Sequence, residues 1–232
     1  MNNVILGYST AFYDPSTYGI NQRIQEICEI QTNAIELVPN DDGRFTELLT
    51  QESVELVRAC HYRSIHAPAL LEYSQDLVVS LLDLARDINA QVIVFHPDKT
   101  QDFQKLHNQF GSLIAIENMD RSKTFGNTVR DLEEVFKKIP NAYWVADVNH
   151  LYSLDTSLRL NREMHDAFSN RLHHYHVSGY GGLHSCLSLT HEVAILDAVQ
   201  DLSKPLIHEG GIMVKHLLKH EDEYVKNYLL RI

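Results

Sequence analysis

YWVADVNHLY, residues 143–152, begins as an apolar strand, Tyr143-Trp144-Val145-Ala146, then stops at Asp147 and reaches His150 a turn later. Aromatic and β-branched residues favour extended backbone, and a run without polar alternation suits a strand buried on both faces. A carboxylate and an imidazole are costly at the end of such a strand unless something there pairs with them. The same junction recurs along the chain, and its recurrence decides the fold.

Outward from it, short apolar runs bounded by turn signals stand at VILGYS (4–9), AIELV (34–38), SIHA (64–67), VIVFH (92–96), LIAIEN (113–118), HHYHVS (173–178) and LIHE (206–209). Between them lie stretches with the 3.6-residue apolar period of helices, QRIQEICEI (22–30), TELLTQESVELVRAC (46–60) and SQDLVVSLLDLARDI (74–88). NTVRDLEEVFKKIP (127–140) carries a capping Asn127, early acids, late lysines and a stop at Pro140. TQDFQKLHNQF (100–110) is short and weakly patterned. Strand–helix alternation predicts an α/β protein with a parallel sheet. Its repetition through 232 residues predicts a single (β/α)8 TIM barrel with short loops, one domain over residues 1–232. An open doubly wound sheet fits less well, because no G-x-G-x-x-G follows the first strand.

Composition narrows the class. With 44% hydrophobic and 22% charged residues, the chain is that of a soluble globular protein. A formal net charge of −11 argues against a surface built mainly for nucleic acid, although an acidic protein can still carry a basic cleft. Cys28, Cys60 and Cys186 form no C-x-x-C pair and read as reduced thiols of a cytoplasmic protein. No segment reads as a signal peptide or membrane span. A homodimer is compatible with the sequence, which does not fix the oligomeric state. The unusual feature is 14 histidines.

Many of them stand at strand ends. The third strand ends at His66, the fourth at His96, the fifth at Glu117, and the sixth at Asp147 with His150 beyond; the seventh carries His176 followed by His184, and the eighth ends at Glu209. In a barrel these positions converge on the C-terminal face, where such enzymes act. A lone strand histidine is usually a satisfied structural residue, and a lone carboxylate usually has a cationic partner. Here that explanation must hold at six consecutive strands, with only Arg121 and Lys99 as nearby bases. Converging carboxylates repel one another, and a divalent cation removes the conflict. Mixed imidazole and carboxylate donors suit Zn²⁺, Mn²⁺, Fe²⁺ or Co²⁺.

The ordered set HAP, FHP, IEN, D-x-x-H, H-V-S, L-H and a last-strand glutamate resembles the xylose isomerase-like TIM barrels over nearly the whole chain. That superfamily, AP endonuclease family 2, includes endonuclease IV and many sugar isomerases and epimerases. The resemblance implies one to three divalent metal ions per chain. In epimerases of the tagatose type, one metal is held at positions matching Glu117, Asp147, His176 and Glu209, and the two glutamates exchange a substrate proton. Endonuclease IV holds three zinc ions; His66, His96, His150 and His184 match its further ligands. One departure is Gly182, where endonuclease IV has an aspartate; another is the lack of a long basic loop for a duplex.

The leading expectation is therefore a metal-dependent isomerase or epimerase of a small sugar, sugar phosphate or polyol. An endonuclease IV-like metallohydrolase of phosphodiesters stands second. Third is a multinuclear iron oxidative enzyme, because DVNHLY resembles the DVNN segment of such barrels. Gly181, Gly182, Gly210 and Gly211, in turns after the last two strands, are candidates for phosphate binding through backbone N–H groups. His174 shares a strand face with His176 and is expected inside the barrel. His61, His107, His165, His216 and His220 are expected on helical surfaces. Cys186 reads as a buried thiol, and Glu36 either orients substrate or pairs with a neighbouring strand end.

Overall fold

The computed structural model describes residues 4–12, 17–181, 184–211 and 216–231. Strands β1 (Leu6–Ser9), β2 (Ala34–Leu37), β3 (Tyr62–His66), β4 (Val92–Phe95), β5 (Ile114–Glu117), β6 (Tyr143–Asp147), β7 (Leu172–Val177) and β8 (Leu206–His208) pair in parallel, in sequence order, into one closed barrel. Closure is the pairing of Gly7 with Ile207. Glycine is needed at position 7 because a Cβ there would run into the Ala34 carbonyl of β2.

Helices wrap the barrel: α1 (Ile20–Glu29), α2 (Gln51–Ala59), α3 (Gln75–Ile88), α4 (Phe103–Phe110), α5 (Val129–Lys138), α6 (Val148–Leu154), α7 (Arg159–Phe168), α8 (Leu187–Thr190), α9 (Ala194–Asp197) and α10 (His216–Leu229). Their apolar faces meet the outward strand residues in one continuous core that includes Ile24, Leu81, Leu132, Trp144 and Tyr175. Truncating one such buried aliphatic side chain to alanine costs ~2–5 kcal/mol. The barrel interior is a separate environment, apolar at Val92, Val94, Ala115 and Val145 and polar above them.

Several boundaries differ from the sequence reading. The α2 helix starts after Thr50, whose side chain caps Ser53 N–H, so residues 46–49 lie outside it and Leu48 is 92% exposed. The cap of α5 is Thr128 rather than Asn127; Thr128 accepts from Asp131 N–H, while Asn127 donates to the Lys123 carbonyl. His165 is buried rather than exposed, with Nδ1 2.8 Å from the Asn161 carbonyl and Nε2 2.9 Å from the Tyr175 hydroxyl. His61 is exposed but lies in the turn before β3, and the side chain of His216 lies outside the described residues. No described helix is long and apolar enough to cross a membrane, and the three cysteines are free.

Candidate metal centre

Barrel register brings the strand ends to one level. Asp147 of β6 pairs with His176 of β7, and Glu117 of β5 pairs with Val145, two residues before Asp147. Asp147 ends its strand because it begins a helix: it is the N-cap of α6, and its Oδ1 accepts His150 N–H at 2.7 Å. This turn carries the His150 side chain back over the barrel mouth. Asn118 locks the corner, its Oδ1 accepting from Asp147 N–H (3.0 Å) and Trp144 Nε1–H (3.2 Å), its Nδ2 donating to the Asp147 carbonyl (2.8 Å).

Glu117 stands at the centre. Its Oε1 lies 2.9 Å from His176 Nδ1, and its Oε2 lies 3.3 Å from His66 Nε2 and 3.0 Å from His96 Nε2. Glu209 Oε2 reaches the same His176 Nδ1 at 3.2 Å from the far side. His66 and His96 face each other through Nε2 atoms 3.1 Å apart, and His150 and His184 through Nε2 atoms 3.4 Å apart. Three mouth clusters result: Glu117–Asp147–His176–Glu209, His66–His96–Glu117 and Asp147–His150–His184. Every predicted metal-ligand position is among them.

The donors fit a divalent ion. Donors around a tetrahedral ion at 2.0–2.1 Å stand about 3.3 Å apart; the donor pairs named above stand 2.9–3.4 Å apart, and the donor atoms of each cluster lie within 4.8 Å of one another. Asp147 Oδ2 is buried and accepts no hydrogen bond, because the nearby His150 Nδ1 is 2.8 Å from the Asn118 carbonyl. Burial raises Glu117, but His176, His66 and His96 outweigh it and hold the carboxyl well below its usual range. Burial, with Glu117 and Glu209 beside it, pushes Asp147 up to about 8 against the pull of His150 and His176. Burial lowers His66, yet its contact with Glu117 carries it to about 9. Protons are thus drawn to a place where the carboxylates need positive charge.

Two further carboxylates hold the frame. Glu36 of β2, completely buried, accepts from the Ser64 hydroxyl at 2.8 Å and lies 3.4 Å from His176 Nε2; it pairs with its neighbouring strand and braces the central histidine. Glu221 of α10 accepts from Leu187 N–H (2.7 Å) and Ser188 N–H (2.9 Å) at the start of α8, and lies 2.6 Å from His208 Nε2. His208 Nδ1 in turn accepts Gly210 N–H at 2.9 Å, so Glu209 is held on both sides.

Above the donors opens a cavity of about 550 Å³, lined by Ala11, Val38, His66, His96, Glu117, Asp120, Ser122, Lys123, His150, His184, Glu209 and Gly211. Among the described residues, Lys123 is the one lysine or arginine in that lining, and it escaped the sequence reading, which noticed only Arg121 and Lys99. A tight turn fixes it: Asp120 Oδ1 accepts Ser122 N–H at 2.6 Å, and the Asp120 carbonyl accepts Lys123 N–H at 3.1 Å. Of the phosphate candidates, Gly211 lines the cavity, Gly210 is buried against His208, and Gly181 lies beside Thr190 and Ser185. Gly182 falls outside the described residues. Cys186 is buried, and burial raises its thiol to about 12. A larger groove of about 740 Å³ lies between residues 43–49, α2 and α3, and none of its lining residues belongs to a donor cluster.

No protein-family model matches the chain, and no curated protein matches it in sequence. Solved structures match over nearly its whole length. D-allulose 3-epimerase from Methylomonas sp. superposes with a TM-score of 0.68 at 12% identity, covering 97% of this chain and 98% of that one. An L-ribulose 3-epimerase gives 0.68 at 10%, covering 98% and 94%. A structure of AsfvAP gives 0.65 at 13%, covering 98% of each chain. The fold class is thus a closed (β/α)8 barrel. These epimerases and a xylose isomerase domain protein from Planctomyces limnophilus share that fold. At such identities the likeness carries the fold, and the argument for function rests on the site.

Proposed function

We propose that this barrel is a divalent-metal-dependent isomerase or epimerase of a small sugar, sugar phosphate or related polyol. The observation that carries the reading is the pair Glu117 and Glu209. They come from β5 and from just beyond β8, on separate sides of the barrel mouth, and reach one nitrogen, His176 Nδ1, at 2.9 and 3.2 Å. Two carboxylates so placed flank a substrate carbon from two sides, as removal and return of a proton require. The epimerases that share the fold support the same class of chemistry.

Glu117, Asp147, His176 and Glu209 would hold the ion. When bound, a divalent cation polarises the substrate carbonyl and its neighbouring hydroxyl. Glu117, held well below the usual carboxyl range, starts ionised and takes the proton from the carbon beside the carbonyl. Glu209 returns a proton on the other face. His150 and His184 stand where they can orient substrate oxygens, and Ala11 and Val38 form an apolar wall. A cavity of about 550 Å³ suits a small molecule. Lys123 at its rim offers a counter-charge for a phosphate or carboxylate.

The test is turnover of sugars and sugar phosphates in D₂O by the Mn²⁺- or Co²⁺-loaded protein. Deuterium should enter at the carbon next to the carbonyl, and Glu117→Gln or Glu209→Gln should reduce its entry by ~100-fold or more with the circular dichroism spectrum unchanged. Full activity in both variants would overturn the assignment.

A second reading is favoured by one specific feature, the use of both Glu117 oxygens. Oε2 belongs to His66 and His96 and Oε1 to His176, the arrangement of a carboxylate bridging two ions. Paired metals suit phosphoester hydrolysis. Release of an alcohol and a phosphomonoester from simple phosphodiesters, without deuterium entry into sugars, would establish that reading instead.

A further inference from the structure

The groove of about 740 Å³ on the outer wall of the barrel stands apart from the metal centre. One of its walls is formed by residues 43–49 and α2, the other by α3. Phe45 and Leu49 line it, half-buried against the core. Two larger apolar surfaces stand out from the walls, Leu48 at 92% exposure on one and Val79 at 46% on the other.

A single exposed leucine on a loose loop means little. Leu48 differs because its backbone is pinned. Asn21 of α1 donates from Nδ2 to the Leu48 carbonyl at 2.9 Å and accepts Thr50 N–H on Oδ1 at 2.9 Å. Asn21 N–H donates in turn to Glu47 Oε1 at 3.1 Å. Earlier in the segment, Gly43 N–H donates to the Asn40 carbonyl at 2.8 Å and Asn40 N–H to the Arg44 carbonyl at 2.7 Å, which closes a tight turn. Gly43, at φ +73°, seats that turn on α3, where a Cβ would run into the Leu77 side chain. A backbone fixed on both sides thus holds a leucine out in water, with a second exposed aliphatic across the groove. Apolar surface of this kind, rimmed by charge, marks a site of association.

The charges identify the partner. Arg44 and Arg58 stand on the α2 wall, Asp76 and Asp87 on the α3 wall. Among the described residues, none of these four makes an ion pair. Arg58 Nε donates only to the Asp87 backbone carbonyl, and the neighbouring Asp83 is already taken by Arg86 at 2.7 Å. Arg44 and Asp76 lie at the mouth end of the groove, before α2 and in the first turn of α3, whereas Arg58 and Asp87 lie in the last turns of those helices. A partner of one sign would satisfy one wall and be repelled by the other. A second copy, turned about a two-fold axis running along the groove, exchanges the walls and keeps their heights. Arg44 of each copy then faces Asp76 of the other, Arg58 faces Asp87, and Leu48 faces Val79. An axis across the groove would instead set each wall against itself, arginine against arginine.

We infer that this groove is the self-association face of the chain, closing a two-fold homodimer in which Leu48 of each copy enters the groove of the other. The formal charge of −11 on each chain repels a second copy at long range, so the matched pairs and the apolar anchors must carry the contact. The inference is independent of the metal centre, since none of these residues belongs to a donor cluster.

The experiment is sedimentation velocity of the full chain at concentrations up to ~100 μM, with circular dichroism of each variant. The wild type should sediment at twice the chain mass. Leu48→Asp should weaken the dimer by ~30-fold or more, the scale of a lost interface anchor, with an unchanged dichroism spectrum because the side chain is exposed in the single chain. Asp76→Arg should weaken it by ~10-fold or more, since like charges then meet twice, and adding Arg44→Asp should restore it. A monomeric wild type would overturn the proposal. A dimer that Leu48→Asp leaves intact would place the interface on another face and overturn it equally. Failure of the second charge reversal to restore the dimer would overturn the axis along the groove.

Discussion

Asp147 shows how one residue serves structure and site together. Its Oδ1 caps α6, and its Oδ2 is buried without a hydrogen bond. Asparagine also caps helices, so the two roles separate by substitution. Asp147→Asn should keep the fold and lose metal affinity, whereas Asp147→Ala should lose a further ~0.5–2 kcal/mol of stability. The pH dependence has a definite sign. The folded carboxyl is raised from its ordinary 3.8 to about 8, so the native state holds its proton more tightly than the unfolded chain does. The stabilisation is complete below about pH 4 and disappears as pH rises toward 8. In chelator, urea denaturation should therefore show the wild type losing stability relative to Asp147→Asn across that window. Lys123 belongs to the same scale: Lys123→Ala should raise KM about tenfold for phosphorylated substrates, with kcat and the unphosphorylated substrates little changed. An equal loss for both substrate types would remove Lys123 from the anion-binding role.

At the scale of elements, the strands were legible because both their faces are buried, which leaves near-continuous apolar runs ending abruptly in histidines and carboxylates. The α6 helix was not legible. VNHLYSL is short, and it starts directly on a residue that also reads as a strand end. His165 misled for a related reason: its helix looks polar, but the ring fills a gap between Trp144 and Tyr175. The frame behind Glu209 was hidden too, because Glu221 and His208 meet only when α10 folds against β8 and α8. That clamp makes a prediction. Glu221→Gln keeps the shape but removes the charge that two N–H groups and His208 share. Charge-assisted bonds of this sort contribute ~1.5–3 kcal/mol each, so the variant should unfold at clearly lower urea concentration. Burial raises Glu221, but His208 and Ser188 outweigh it and hold the group at about 2 against an ordinary 4.5. The difference between variant and wild type should therefore shrink as pH falls from 4.5 toward 2.

For the whole molecule, the barrel's closed order explains why candidate ligands scattered from residue 66 to residue 209 meet in one place. The eight candidate ligand positions stood out in the sequence because each lies at or soon after the end of a strand, His150 in the first turn of α6. Glu36, Asn118 and Lys123 were read less well because their roles depend on distances across the barrel. Those distances give three donor clusters sharing Glu117 and Asp147, too crowded with carboxylates to be comfortable without positive charge. The most direct test is metal content per chain, measured by mass spectrometry on protein purified without chelator or affinity tag. The account predicts at least one tightly held divalent metal, lost in Glu117→Gln; a value near one points to the β5–β8 set alone, and two or three add His66 and His96. Wild-type protein with no bound metal, and none taken up on incubation with Zn²⁺, Mn²⁺, Fe²⁺ or Co²⁺, would contradict it.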